Sequence, residues 1–199
     1  VGSRRGGRGE ERGAALVEAT VILPVLMLIL FGIMEYGLLF RTNLTISDAT
    51  RAGARVAVAQ PRNDGYHLAA AAAVSGSMAT SGIPSDQIGL MVIYRADPTT
   101  GGVLGGGASP ADVEACTTAC WKFDWDHASR SYVPRATPQW PPLSQFACGT
   151  EGETDYLGVQ VRASHRFITG LLQGELSLTE RTVMRLEPLP LTDECRPIG

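Results

Sequence analysis

Residues 14–40 read AALVEATVILPVLMLILFGIMEYGLLF. Only Glu18 and Glu35 carry charge in this stretch, and residues 19–34 carry none. With its flanks the run exceeds the roughly 20 residues that a helix needs to cross a bilayer. It reads as a transmembrane helix. Residues 1–13, VGSRRGGRGEERG, hold almost no apolar side chains. Such a segment buries too little surface to offset its ordering entropy, and a disordered hydrophilic leader is expected. Arg4, Arg5, Arg8 and Arg12 precede the apolar run, whereas Arg41 alone follows it closely. By the positive-inside rule the N-terminus is cytoplasmic and everything from about Arg41 lies outside.

The remaining length sets limits. The chain has 199 residues, 44% hydrophobic and 19% charged, with a formal net charge of -3. Beside one membrane segment, that leaves room for a single outer domain of about 100 to 150 residues, too small for a multi-domain enzyme. Lys122 is the only lysine, and no basic stripe stands out that would grip a phosphate backbone, so nucleic acid is not an expected partner. The expected organisation is a leader over residues 1–13, a membrane helix over 14–40, its continuation over 41–60 and an outer domain over 61–199.

A secretory signal peptide would end in a small-x-small cleavage motif, but here the apolar run passes into Glu35, Tyr36 and Gly37 without one. Processing before the run fits better. Gly13 closes the hydrophilic leader, and Glu18 would be the fifth residue of a chain starting at Ala14, the pattern of a type IV prepilin. A carboxylate inside a membrane helix costs on the order of 2.5 to 3.5 kcal/mol at the bilayer centre and less near the interface, so it calls for a partner. Cleavage between Gly13 and Ala14 creates an ammonium that Glu18 can accept, from its own or a neighbouring subunit. The alternative is an interfacial Glu18 that snorkels to the headgroups. Pro24 removes a helical N–H and frees the carbonyl of Thr20, so a bend or a looser turn is expected there.

The segment ERGAALVEATVILPVLMLILFGIMEYGLLF, followed by SDATRAGARVAV, resembles the TadE/TadG-like family, the minor pilins or pseudopilins of the Tad (Flp) tight-adherence pilus. The likeness is densest over residues 12–58 and rests on Gly13-Ala14-Ala15, Val17-Glu18-Ala19, Leu23-Pro24 and Glu35-Tyr36-Gly37. It implies cleavage by a prepilin peptidase at Gly13 and Ala14, and roles in assembly for Glu18 and Pro24. The apolar run itself calls for membrane lipid, and the partners the resemblance implies are other TadE/TadG-like subunits, the major Flp pilin, and the inner-membrane assembly platform with its ATPase. The resemblance implies no cofactor.

Beyond Arg41 the sequence TNLTISDATRAGARVAVAQ lacks proline until Pro61, and the helix is expected to run on to about Ala59. Ala49, Ala52, Gly53 and Val56 form a small-residue face suited to close approach, with packing on the protein's own sheet favoured over an intersubunit seam. A second, Ala-rich helix is expected from Tyr66 to Ala79. Strands are expected over residues 87–97, 155–168 and 175–188, the last two paired antiparallel around Gly170 to Gly174. The run TTGGVLGGGASP reads as a flexible loop. The fold class is therefore α+β: a long N-terminal helix leading into a pilin-like domain with a small antiparallel sheet.

Cys116, Cys120, Cys148 and Cys195 all fall in the outer segment. An even number in an oxidising compartment favours two disulfides, with three pairings open, and a bridge to Cys195 would close the longest loops. A metal site at Cys116, Cys120 and His127 is the rival, but its spacing matches no usual zinc pattern, and no metal is expected. His67, His127 and His165 are scattered, and no hydrolase, zincin or phosphate-loop motif appears. Asp124, Asp126 and His127 beside Trp121 and Trp125 are the most site-like cluster. A strand with one wet and one buried face explains it better. The leading expectation is a noncatalytic pilin-like subunit. Its rivals are a single-pass anchored protein that binds an extracytoplasmic ligand and a membrane-anchored hydrolase using Asp124, Asp126 or His127.

Overall fold

The computed structural model describes residues 7–135, 139–149, 154–170, 174–190 and 195, with only the backbone considered for residues 7–12. Helix α1 spans Gly7–Val58 and α2 spans Tyr66–Ala79. Strand β1 (Ile88–Ala96) and the short helix α3 (Pro110–Glu114) follow, then β2 (Cys120–Asp126) and β3 (Ser131–Pro134), and finally β4 (Tyr156–Arg166) and β5 (Glu175–Arg185). The chain divides into two compact units. One comprises the residues up to Phe40 together with Phe167–Gly174; the other comprises Arg41–Arg166 and Glu175–Gly199.

Residues 7–13 are helical, which corrects the expectation of a disordered leader over that half; residues 1–6 lie outside the described residues. Once a helix is nucleated by the following segment, each added residue gains a hydrogen bond, and Arg and Glu are good helix formers. The α-helix also runs through Pro24. The expected loosening at that point therefore does not reach a change of helix type.

In the second unit, five strands form one antiparallel sheet in the order β3-β2-β1-β4-β5. One face of the sheet packs against the C-terminal part of α1 and against α2. Ile46, Ala49, Ala54 and Ala57, with Tyr66, Ala70, Val74 and Met78, meet Met91, Ile93, Phe123, Leu157, Val159 and Val161. On the other face Leu90, Val92 and Tyr94 of β1 lie with Val103, Val113, Cys116 and Cys120. Burial on both faces explains why β1 reads as a continuous apolar run rather than an alternation. Gly53 is buried, and a Cβ there would collide with Val74 Cγ2. At Ala49 and Gly53 the small-residue face thus serves this domain's own packing, while Ala52 and Val56 are half-buried. Only such residues let α2 come this close.

Two elements depart from the expected pattern. β3 pairs with β2 through Phe123, Asp124, Trp125 and Asp126, and its Tyr132 N–H donates to Ser75 Oγ on α2 at 2.9 Å. The glycine-rich run is hydrogen-bonded rather than free. Asp97 Oδ1 accepts from the amides of Thr99 and Thr100, Leu104 N donates to Arg95 O, and Tyr94 Oη donates to Gly101 O at 2.7 Å. Ser109 and Asp112 then cap α3 reciprocally, with Pro110 in its first turn.

Candidate functional site

The apolar part of α1 turns its side chains outward all round. Leu16 is 69% exposed, Val21 67% and Leu30 50%, in a helix long and apolar enough to cross a membrane. Such a surface is consistent with a single-pass membrane anchor. Gly13, Ala14, Glu18 and Pro24 all lie on it and are exposed. Ala14 and Glu18 stand four residues apart, so they share a helix face with a rise of about 6 Å between them. An amine at Ala14 would therefore lie one turn from the Glu18 carboxylate. Thr20 donates its hydroxyl to Leu16 O at 2.7 Å. The carbonyl of Thr20 stays available beside Pro24, since proline has no N–H to give it.

Glu35 behaves differently from Glu18. It is only 3% exposed. Its two carboxylate oxygens accept the backbone N–H groups of Ile168, at 2.7 Å, and Thr169, at 3.1 Å. In the sequence Glu35 marks the end of the apolar run and opens the Glu35-Tyr36-Gly37 exit, with no partner assigned to it. The signal was present nonetheless, because a carboxylate at the edge of a membrane helix needs a partner by the same argument applied to Glu18.

The cysteines pair as Cys116–Cys120 and Cys148–Cys195. This resolves the three open pairings and engages the two thiols of the rival metal trio. The second bridge spans 47 residues of sequence. Around it, Ala147 N donates to Cys195 O and Leu189 N to Ala147 O, so the C-terminal segment is tied to the loop before β4. Asp155 sits nearby, buried, accepting from Phe146 N and paired with Arg95 at 2.6 Å.

The aspartate, histidine and tryptophan cluster does not converge on one point. Asp124 pairs with Arg135 at the surface. Asp126 caps the β2–β3 turn through Ala128 N and Ser129, whose hydroxyl holds its carboxyl below the usual carboxylate range. His127 Nδ1 and Trp125 Nε1 both meet Ser85 Oγ. Trp121 stacks on His67 at 3.8 Å. Burial lowers the pKa of His67, with the charge of Asp64 opposing. The cluster's side chains are thus engaged in structural contacts, as the strand reading expected, while the buried Nδ1 of His67 has no hydrogen-bond partner. Among the described residues no group of three His, Cys, Asp or Glu side chains is arranged to hold a metal.

Residues 13–55 match the model of the TadE-like protein family. Over this region the chain is similar to that family. The match begins at Gly13, where the charged leader gives way to the apolar helix, and ends in the last turn of α1. The TadE-like region therefore coincides with the helix that carries Ala14, Glu18, Pro24 and Glu35, and stops before the sheet. No curated protein and no solved structure matches the chain.

Proposed function

We propose that the protein is a noncatalytic minor pilin or pseudopilin of a Tad (Flp) type IV pilus. A prepilin peptidase cleaves it between Gly13 and Ala14, α1 holds it in the inner membrane until assembly, and the sheet domain is displayed outside for assembly and adhesion. The observation that carries this reading is the TadE-like match starting at Gly13, on a helix whose apolar side chains are exposed on every side. Such a helix has two suitable environments, lipid and a bundle of similar helices, and a pilus subunit passes from one to the other.

Glu18 supplies the chemistry of that passage. Its carboxylate is exposed, and in a bundle its desolvation is offset by the Ala14 ammonium of the same or a neighbouring subunit. The other partners are TadE/TadG-like subunits, the major Flp pilin, the assembly platform and its ATPase. The test is Glu18→Ala in a piliated strain. Cleavage should be unaffected while incorporation into sheared fibres is lost. Normal incorporation would remove the charge pairing from the account, and an uncleaved wild-type chain bound stably in membranes would favour an anchored ligand-binding protein instead.

A further inference from the structure

Glu35 lies six residues before Arg41, the first cation after the apolar run, or about 9 Å toward the apolar side along the helix. At that level the compact unit contains a second piece of chain, the segment Phe167–Gly174 that joins β4 to β5. Its first residues are apolar, Phe167 and Ile168, preceded by Arg166. Ile168 is 71% exposed, and on the helix Tyr36 is 69% and Phe40 54% exposed. Both pieces thus have apolar residues bounded by an arginine, Phe40 by Arg41 and Phe167 by Arg166.

The hydrogen bonds at Glu35 identify the environment that this arrangement suits. Where the interfacial layer meets the hydrocarbon core water thins out, and an unpaired amide or carboxylate becomes costly. Here the amides of Ile168 and Thr169 and the carboxylate of Glu35 satisfy one another, through charge-assisted bonds stronger than neutral ones. Two of the turn's backbone amides are thereby paired while the Ile168 side chain remains exposed. An exposed tyrosine at Tyr36 fits the aromatic belt found at membrane interfaces.

We propose that the β4–β5 turn at residues 167–169 is a second membrane contact, seated in the outer interfacial layer beside the helix, latched by Glu35 and presenting Ile168 to lipid. The inference rests on α1 being a membrane helix, and the experiment separates the two claims. With the native cysteines held in disulfides, Ile168→Cys, Leu26→Cys and Asp48→Cys each offer one thiol for an environment-sensitive NBD label. The full-length proteins are placed in vesicles of phosphatidylethanolamine and phosphatidylglycerol carrying nitroxide-labelled lipid. The labels at 26 and 168 should emit blue-shifted, be quenched by the lipid nitroxide and resist aqueous iodide, while the label at 48 does the reverse. Adding Glu35→Leu should move the 168 label toward iodide and away from lipid, with Glu35→Gln, which keeps one acceptor, intermediate. Lipid quenching at 26 with iodide quenching at 168 would overturn the proposal alone. Protection of 168 from both quenchers would show that protein covers it and would also overturn it. Absence of lipid quenching at 26 would remove the membrane reading and this inference together. Unchanged lipid quenching in Glu35→Leu would overturn the latch.

Discussion

Helix α1 has two regions that share a backbone and differ in everything else. From Leu16 to Phe40 its large side chains are mainly Leu, Val, Ile and Met turned outward, Val21 and Leu30 among them. From Arg41 on, the apolar positions are mostly small, and Ile46, Ala49, Ala54 and Ala57 are fully buried. Large outward-facing aliphatics leave a helix that needs a solvent or partner from outside the chain. Small inward-facing residues make a helix that the chain's own domain covers. The difference teaches that hydrophobicity alone does not locate a core, whereas residue size along a helix helps to separate its uncovered apolar part from its packed part.

Perturbations should affect the packed region and spare the exposed apolar one. The largest effect is expected from Cys148→Ser with Cys195→Ser. Opening a bridge that spans 47 residues should cost about 4 kcal/mol in the chain-entropy model, read as a lower unfolding midpoint in detergent with the helical signal of the membrane segment retained. Next comes a matched pair of substitutions. Gly53→Leu forces a side chain into Val74 and should destabilise the domain by about 3 kcal/mol. Gly32→Leu, where nothing lies within 4 Å, should leave the midpoint unchanged. Equal effects at the two glycines would erase the contrast between the regions. Opening Cys116–Cys120, only four residues apart, should cost less than the longer bridge, about 2 kcal/mol.

The smallest effect is a pH dependence. The fold favours the neutral imidazole of His67, lowering its pKa from the ordinary value of 6.5. The unfolded chain therefore takes up the proton first as pH falls. Stability is fully present above pH 6.5 and is lost as pH drops through the folded value. Melting curves should shift down in that window, and His67→Phe, which keeps an aromatic ring against Trp121, should flatten the shift. Asp97, Asp112 and Asp126 are held below their ordinary 3.8 by local hydroxyl and amide donors, so their loss belongs to a lower, separate window.

Much of this fold was legible because its signals are local. The bounds expected for α2 coincide with those observed, and β1, β4 and β5 fall inside the expected strands. β3 escaped notice because four residues ending in Pro134 carry little pattern, and its backbone is supported partly by Ser75 from a distant helix. Helix α3 did have a local signal, Ser109-Pro110 followed by Asp112, but the glycine run before it drew the segment toward a loop reading. The disulfide pairing was not legible at all, since spacing in sequence does not specify which Cα atoms approach. At the candidate site, Gly13, Ala14, Glu18 and Pro24 could be named because they stand in one continuous helix. Glu35 was missed because its partners, Ile168 and Thr169, lie more than 130 residues away.

The central claim is that the TadE-like helix becomes a mature N-terminus. Intact-mass and N-terminal analysis of the protein from native membranes and fibres, with Gly13→Ala alongside, tests it most directly. The account predicts that the native chain begins at Ala14 and that Gly13→Ala retains its leader. A native chain that still carries Gly13 and the residues before it, in membranes of cells that are making fibres, would contradict it.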